Sequence, residues 1–308
     1  MQTTQPRELE DETPKPERRR ALLLVNPNAR AAADGKDAVA SALVRAGFEL
    51  LAPELTDKTA AAEAIEANAG ICDLVIVGGG DGSLHAALQG LVGTQLPLGI
   101  LPLGTANDLA KTLEIPSDLE EACTVIARGA TRRIDVGCVN GIYFVNEMSI
   151  GLSPAVSRLL SKDIKARFGV LALPYRAFQV VRRLRRFAAQ VTCDGRETVL
   201  RTAQLTIGNS RSFGGFVASD EAEIDDHELD LYSVSFRYWW SYLDAMQALM
   251  RRRYDEAPSV ATMHGKTFDI RTKRAKPIEA DGEIISMTPA HVRVVPSAIS
   301  VFVPSAAP

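Results

Sequence analysis

The sequence has little cysteine, and its cysteines lie far apart. Cys72, Cys123, Cys138 and Cys193 form no CxxC pair. This spacing excludes a zinc ribbon and a disulfide framework, both of which need patterned cysteines. We interpret each cysteine as a small buried hydrophobic residue, which is typical of a cytoplasmic protein in a reducing compartment.

A long apolar run and an excess of charge of one sign are also missing. No segment approaches the roughly 18 apolar residues of a membrane span, and residues 1–20 lack the apolar centre of a signal peptide. The 35 Lys and Arg residues nearly balance 38 Asp and Glu residues, giving a net charge of −3. We therefore expect a soluble protein with no nucleic-acid partner and at most peripheral membrane contact.

The pattern that is present along the 308 residues predicts a disordered tail followed by two domains. Residues 1–20, rich in proline and mixed charge, form the predicted tail. Over residues 21–131, short apolar runs alternate with amphipathic segments, which predicts an α/β domain with a parallel sheet. Residues 132–296 predict a β-rich sandwich, and residues 297–308 are expected to return to the first domain. The predicted sandwich includes strands at 141–148, 197–208 and 291–295 and helical segments at 154–186 and 239–253.

The segment GGGDGS (78–83) lies directly between a predicted buried strand and a predicted helix. Glycines let the backbone approach a phosphate closely, and the helix N-terminus offers N–H groups. An aspartate in such a loop repels phosphate unless a cation intervenes, which indicates Mg²⁺ at Asp81. The segment matches neither the P-loop nor the dinucleotide fingerprint. A tight strand-to-helix turn with no ligand is the alternative interpretation.

Two more polar loops follow predicted strands: NPNAR (26–30) and LPLGTAND (101–108). Loops at the carboxyl ends of parallel strands meet at one edge of the sheet, where ligands bind. Three such loops are better explained by one shared site than by three independent turns.

Six segments together carry a family resemblance: NPNAR (26–30), GGGDGS (78–83), PLGTANDLA (102–110), RRIDVG (132–137), NEMSIG (146–151) and ADGE (280–283). In this order, the chain resembles the diacylglycerol kinase catalytic-domain family, and in particular the soluble bacterial lipid kinases. The resemblance implies a NAD kinase/diacylglycerol kinase-like α/β domain, a β-sandwich domain and an active site in the cleft between them. It further implies an ATP- and Mg²⁺-dependent kinase acting on a lipid hydroxyl.

The resemblance also assigns roles to individual residues. The implied nucleotide-binding positions are Asn26, Pro27, Asn28, Gly79, Gly80, Asp81, Gly82, Ser83 and Thr105. Asp81 and Asp135 are expected to organise Mg²⁺ around the phosphates, and Glu283 is expected to be the general base. A structural cation is implied in the loop 224–230, with Asp226 and Glu228 as ligands.

Two of these roles have a plain structural alternative. Glu283 is suited to take a proton from a lipid hydroxyl, but it also follows an ordinary Asp-Gly hairpin turn. Asp135 is equally well interpreted as a strand residue near the domain boundary.

Two histidines depart from the family pattern: His85 stands where asparagine is common, and His227 replaces the glycine of a usual turn, which puts the structural cation in doubt.

Basic residues are concentrated in two segments, 158–187 and 236–253. In the first, Arg182, Arg183, Arg185 and Arg186 lie mostly off an apolar stripe with helical spacing. One interpretation is a helix that covers the sandwich with its arginines in water; the other is a patch that contacts anionic lipid at the inner face of the membrane.

Two other functions compete with the lipid kinase. NAD kinases share the GGDG loop, although LGTANDLA weighs against that class. A catalytically silent regulator that binds nucleotide or lipid is the second alternative, but such a protein needs no general base at Glu283. The acceptor lipid and the oligomeric state stay open.

Overall fold

The computed structural model describes residues 19–25, 32–53, 60–151, 186–209, 212–213, 216–217, 224–235 and 260–305. The predicted tail (1–20) lies almost wholly outside these ranges, as does the NPNAR loop with Asn26, Pro27 and Asn28. Nearly all of both basic segments also lies outside the described residues.

The described residues of the N-terminal half form four parallel strands: β1 (Arg20–Val25), β2 (Glu49–Leu51), β3 (Leu74–Gly79) and β4 (Leu98–Pro102). Their order is β2-β1-β3-β4. The runs ALLLV and LVIVGG are buried throughout, as a strand covered on both faces requires. The parallel sheet predicted from the apolar runs is therefore confirmed.

In the part of this half that the structure describes, five helices accompany these strands: α1 (Ala32–Arg45), α2 (Ala60–Asn68), α3 (Asp81–Thr94), α4 (Asp108–Thr112) and α5 (Leu119–Arg128). The two ends of helix α5 are fixed by its capping residues. The Asp118 side chain accepts hydrogen bonds from the backbone N–H groups of Glu120 and Glu121, and Gly129 ends the helix with a φ of 80°. None of the described helices has the length and apolar character needed to cross a bilayer.

The second half contributes strands to two sheets. Their bounds are β5 (Thr131–Val139), β6 (Ile142–Phe144), β7 (Glu147–Ile150), β8 (Phe187–Cys193), β9 (Arg196–Thr202), β10 (Gln204–Gly208), β11 (Ser212–Phe213), β12 (Phe216–Val217), β13 (Leu229–Val234), β14 (Val260–Gly265), β15 (Thr267–Thr272), β16 (Pro277–Ala280), β17 (Glu283–Met287) and β18 (Ala290–Phe302). One antiparallel sheet has the order β14-β13-β10-β7-β16-β17. The apolar faces of this sheet and of strands β8, β15 and β18 enclose a second core, which includes Phe144, Met148 and Phe268. The β-sandwich is therefore confirmed.

Strand β18 joins the two halves of the protein. Near its C-terminal end, Val301 pairs in parallel with Leu98 of β4, while its first residues pair with β15. A bulge between Val295 and Ile299 interrupts its pairing with β5. A single ten-stranded sheet thus runs from the α/β half into the sandwich.

Several predicted strands have different limits in the structure. The predicted strand 197–208 is two strands, because the chain leaves one sheet after β9 and enters the other at β10. At this crossing, the buried Ala203 donates its N–H to the carbonyl of Val234. The predicted strand 141–148 likewise divides into β6 and β7, and β14 and β17 were not predicted. An alternating pattern does not show where a chain changes sheets.

Candidate active site

The glycine-rich segment makes the transition from β3 to α3. Gly78 and Gly79 end the buried strand, Gly80 is the helix N-cap, and Asp81 is the first helical residue. Oδ1 of Asp81 accepts a hydrogen bond of 2.8 Å from the backbone N–H of Asp108. Asp81 therefore connects the start of α3 to the start of α4, at the same edge of the parallel sheet.

The two loops that follow β3 and β4 touch each other through glycines. A Cβ atom on Gly104 would lie 2.3 Å from the Cα of Gly80 and 2.6 Å from Oδ1 of Asn107, so no larger residue fits. Asn107 holds the second loop closed, since its side chain accepts from the N–H of Gly104 and donates to the carbonyls of Pro102 and Gly104. The result is a bare backbone surface at the N-terminus of α3, which suits a phosphate.

Two acidic side chains lie together beside this surface. Burial, reinforced by the nearby carboxylate of Asp108, raises the pKa of Asp81. Asp108 is itself buried, and Nζ of Lys111 lies 3.4 Å from its Oδ1. A cation at this position would relieve the repulsion between the two carboxylates.

The Asp-Gly-Glu segment forms the turn between β16 and β17. Asp281 and Gly282 have φ angles of 45° and 87°, the left-handed conformation that a tight hairpin requires. The fully buried Asp281 carboxylate accepts from the backbone N–H groups of Val145, Asn146 and Glu147. Glu283 follows as the first residue of β17.

A histidine ties this turn to the glycine-rich half of the site. His85, in the second turn of α3, donates from Nδ1 to Oδ2 of Asp281 at 3.1 Å. Because Asp81 and His85 are four residues apart on one helix, they lie on the same face. This face of α3 therefore contacts the N-terminus of α4 through Asp81 and, one helical turn later, the turn that carries Glu283 through His85.

Glu147 is a further acidic residue at this junction. Desolvation raises its pKa to about 8, and Asp281, Glu279 and Asp108 add to the shift. Asp108 belongs to the α/β half and the other two to the sandwich, so Glu147 lies where the halves meet. At neutral pH its carboxyl group is mostly protonated and adds no negative charge.

The surroundings of Asp135 differ from those that the family resemblance implies. Its buried carboxylate accepts from the N–H of Ser297 at 2.6 Å and from the N–H of His227 at 2.7 Å. Nδ1 of His227 lies 3.1 Å from both carboxylate oxygens. Asn209 donates to the Asp135 carbonyl. Asp135 thus holds the bulge of β18 and the loop 224–230 in place.

The residues of the loop 224–230 are poorly suited to a structural cation, because other side chains already pair with two of its carboxylates, Asp225 and Asp230. Arg132 forms two hydrogen bonds with Asp225 and lowers its pKa. His264 pairs with Asp230, whose pKa is nevertheless raised by burial. Oδ1 of Asp226 accepts from the backbone N–H of Glu228. Nowhere in the described part of the chain do three or more histidine, cysteine or acidic side chains form a group suited to a metal ion.

The site residues expected from the sequence thus fall into three groups. Gly79, Gly80, Asp81, Gly82 and Ser83 lie at the junction of β3 with α3, and the exposed Thr105 follows Gly104 on the loop after β4. Glu283 lies on the turn tied to α3, and Asp135, Asp226 and Glu228 belong to the β18 bulge and the loop 224–230. Asp108, Glu147, Asp281 and His85 were not assigned from the sequence. For His85, the four-residue spacing from Asp81 could have predicted that the two side chains lie on the same face of the helix.

Comparison with known proteins identifies both halves. Residues 20–139 match the model of the Diacylglycerol kinase catalytic domain, and residues 146–303 match that of the YegS C-terminal NAD kinase beta sandwich-like domain. A crystal structure of a candidate diacylglycerol kinase from Bacillus anthracis superimposes with a TM-score of 0.80, at 25% identity, over 95% of this chain and 98% of that one. The class is therefore a two-domain protein with a diacylglycerol kinase-type fold.

Relatives by sequence agree with this class. The diacylglycerol kinase of Staphylococcus saprophyticus is 27% identical over 303 residues, covering 94% of this chain and 96% of the relative. An uncharacterized protein from Synechocystis is 28% identical over 236 residues, 75% of this chain but only 54% of the relative, so the chain spans about half of its length. The chain belongs to the diacylglycerol kinase catalytic-domain family, with a YegS-type sandwich as its second domain.

Proposed function

We propose that the protein is a lipid kinase that transfers the γ-phosphoryl group of ATP to a lipid hydroxyl, that of diacylglycerol or a related lipid. The observation that carries this proposal is the contact of Gly80 with Gly104 beside Asp81. Two strand-to-helix loops without Cβ atoms form a backbone surface that a triphosphate can approach. Family membership and relatives named diacylglycerol kinase support the same activity.

Mg²⁺ fits the donors at this surface. Asp81 and Asp108 supply carboxylate oxygens, the ligand type that Mg²⁺ prefers. Two carboxylates are enough when phosphate oxygens and water complete the coordination shell, as is usual for this ion. When bound, Mg²⁺ neutralises charge on the phosphates during transfer.

The protein groups then have separate tasks. Backbone N–H groups of Gly79, Gly80 and Gly82, together with the Ser83 and Thr105 side chains, orient the phosphates, and Asn26, Pro27 and Asn28 are assigned to the same nucleotide by family resemblance. Glu283 accepts the proton of the lipid hydroxyl as the hydroxyl attacks. For Asp135, the contacts support the positioning of β18 and the loop 224–230 rather than of the ion.

A transfer assay tests the proposed activity. The purified full chain is incubated with Mg²⁺, ATP labelled at the γ-phosphate, and micelles of diacylglycerol, phosphatidylglycerol, ceramide or a sphingoid base, with NAD in a separate reaction. We expect label in at least one lipid. Label only in NADP would instead support an NAD kinase, and nucleotide binding without transfer would support a silent regulator.

Glycine variants connect this activity to the proposed site. Gly104→Ala forces the two loops apart, so we expect it to lower nucleotide affinity at least tenfold. Gly93→Ala, in the same helix as Asp81, adds a Cβ that meets nothing within 4 Å and serves as the matched control. Equal nucleotide affinity of the two variants, measured by titration calorimetry, would contradict the site.

The base assignment has its own test. We expect Glu283→Gln to lower kcat by about 10²–10⁴, while ATP binding is retained, because the turn geometry depends on Asp281 rather than on Glu283. Full activity of this variant would remove Glu283 from the mechanism.

We also propose that the protein is cytoplasmic and reaches its acceptor by peripheral contact with the anionic inner face of the membrane. The arginines concerned, Arg182, Arg183, Arg185 and Arg186, lie at the end of a basic segment of the sequence. Sedimentation with anionic and neutral vesicles tests this contact. Equal binding to both vesicle types, or unchanged binding after replacing the four arginines with glutamine, would contradict it.

A further inference from the structure

One face of helix α3 carries three polar side chains at intervals of four residues. Asp81 contacts the N-terminus of α4, His85 contacts Asp281, and Gln89 contacts the backbone of Tyr143. A spacing of four residues places side chains one above another on a helix. The helix that begins in the glycine-rich loop is therefore attached at two points to the sandwich half.

The contact of His85 with Asp281 is the more enclosed of these two attachments. The His85 side chain is 10% exposed and that of Asp281 is 0% exposed. Oδ2 of Asp281 accepts from His85 and from the N–H of Val145, while Oδ1 accepts from the N–H groups of Asn146 and Glu147. Because a carboxylate only accepts hydrogen bonds, Nδ1 of His85 carries the proton in this pair.

The way Asp281 is held also determines the position of the hairpin turn that carries Glu283. Asp281 itself has a φ of 45°, and its N–H donates to the carbonyl of Glu147. The position of Glu283, two residues later, consequently depends on how Asp281 is held. His85 is the side chain through which α3 holds it.

We propose that His85 is a positioning residue that transmits the position of the nucleotide-binding end of α3 to the turn bearing Glu283. This inference rests on the proposed kinase function. In this role His85 acts through Asp281 and sets the distance between the phosphate surface at Asp81 and the base. Loss of the contact leaves the nucleotide surface intact but releases the turn.

Steady-state kinetics provide the first test. In His85→Ala we expect kcat to fall at least tenfold, while the KM for ATP changes less than twofold. His85→Asn keeps an N–H donor and should restore most of kcat. The matched control is Gln89→Ala, which removes the neighbouring attachment to Tyr143 and should leave kcat within about twofold of wild type.

Hydrogen exchange provides a test that does not depend on activity. In His85→Ala, the amides of residues 145–147 and 281–283 should exchange at least tenfold faster, while those of β3 keep their wild-type rates. Binding of ATP with Mg²⁺ should slow exchange at 281–283 in wild type but not in this variant. His85→Leu, which keeps the side-chain volume, replaces His85→Ala if the latter does not fold.

The outcomes separate the two proposals. Wild-type exchange at 281–283 in the variant, or an equal loss of kcat in Gln89→Ala, would overturn the role of His85. Absence of phosphoryl transfer by the wild-type protein would overturn the kinase proposal alone, because the exchange measurements still decide whether His85 links α3 to the turn.

Discussion

Asp81 and Asp135 illustrate how differently two aspartates with the same expected role can be placed. Both belong to segments that suggest Mg²⁺ binding from sequence. In the structure, Asp81 stands at the first turn of a helix, beside glycines, and its pKa is raised by burial and, to a smaller extent, by the nearby carboxylate of Asp108. Asp135 lies in the middle of a strand, and both of its oxygens accept hydrogen bonds from His227 or Ser297.

Under the proposed function, this difference separates a carboxylate that binds the cation from one that holds the fold. A buried carboxylate whose oxygens are all engaged is stabilised by its own protein. A carboxylate whose pKa is raised by burial and by a neighbouring like charge is held in an unfavourable position that a bound cation would relieve. Asp81 fits the second description and Asp135 the first.

The largest expected effect tests Asp81. Asp81→Asn should lower kcat/KM for ATP by about 10²–10³, the scale of losing one charge-stabilising group at an active site. Its melting temperature should stay close to that of wild type, because the substitution keeps an acceptor for Asp108 and removes the repulsion between the carboxylates. If this variant were destabilised but kept the wild-type kcat/KM, Asp81 would be a structural carboxylate rather than a cation ligand.

The next prediction concerns Asp135. Asp135→Asn deprives the backbone N–H groups of His227 and Ser297 of their carboxylate acceptor, so the free energy of unfolding should fall by about 2–3 kcal/mol. Urea denaturation measures this loss. Activity per folded molecule should fall less than threefold. A hundredfold loss of activity in a variant of wild-type stability would instead show that Asp135 helps to organise the metal ion.

A smaller effect is expected from the pH dependence of Glu147. Its pKa of about 8 lies above the ordinary value of 4.5, so the folded state binds more protons than the unfolded state between these values. The free energy of unfolding should therefore fall as pH rises through this window. Glu147→Gln should remove about 4 kcal/mol of that fall, as a comparison of urea denaturation at pH 5 and pH 8.5 would show. Parallel pH profiles would exclude the raised pKa.

The smallest effect is expected at His227, the partner of Asp135. His227 has a φ of 65°, which costs a non-glycine residue about 1 kcal/mol. Glycine would remove that strain but lose a hydrogen bond of similar value. His227→Gly should therefore change the free energy of unfolding by less than about 1 kcal/mol. A loss as large as that of Asp135→Asn would show that the imidazole, rather than the backbone N–H, carries the pairing.

The two loops of the site illustrate what could be predicted from local sequence. GGGDGS and LGTAND stand after apolar runs, and parallel strands bring the ends of such runs to one edge. Their contact at Gly80 and Gly104 follows from this arrangement. The roles of Asp281 and His85 were not predicted, because they are 196 residues apart and neither has a distinctive local pattern.

The amino-acid sequence by itself determined the α/β alternation of the first half, the β-rich character of the second and the glycine-rich loops, since these depend on neighbouring residues and their periodicity. Residues 297–308 were expected to return to the first domain, but the tertiary structure alone decided that one strand, β18, pairs in both halves, that Asp135 pairs with His227, and that His85 meets Asp281. These contacts depend on which distant groups the packed core brings within hydrogen-bond distance, and that selection is made by the whole fold rather than by any one segment.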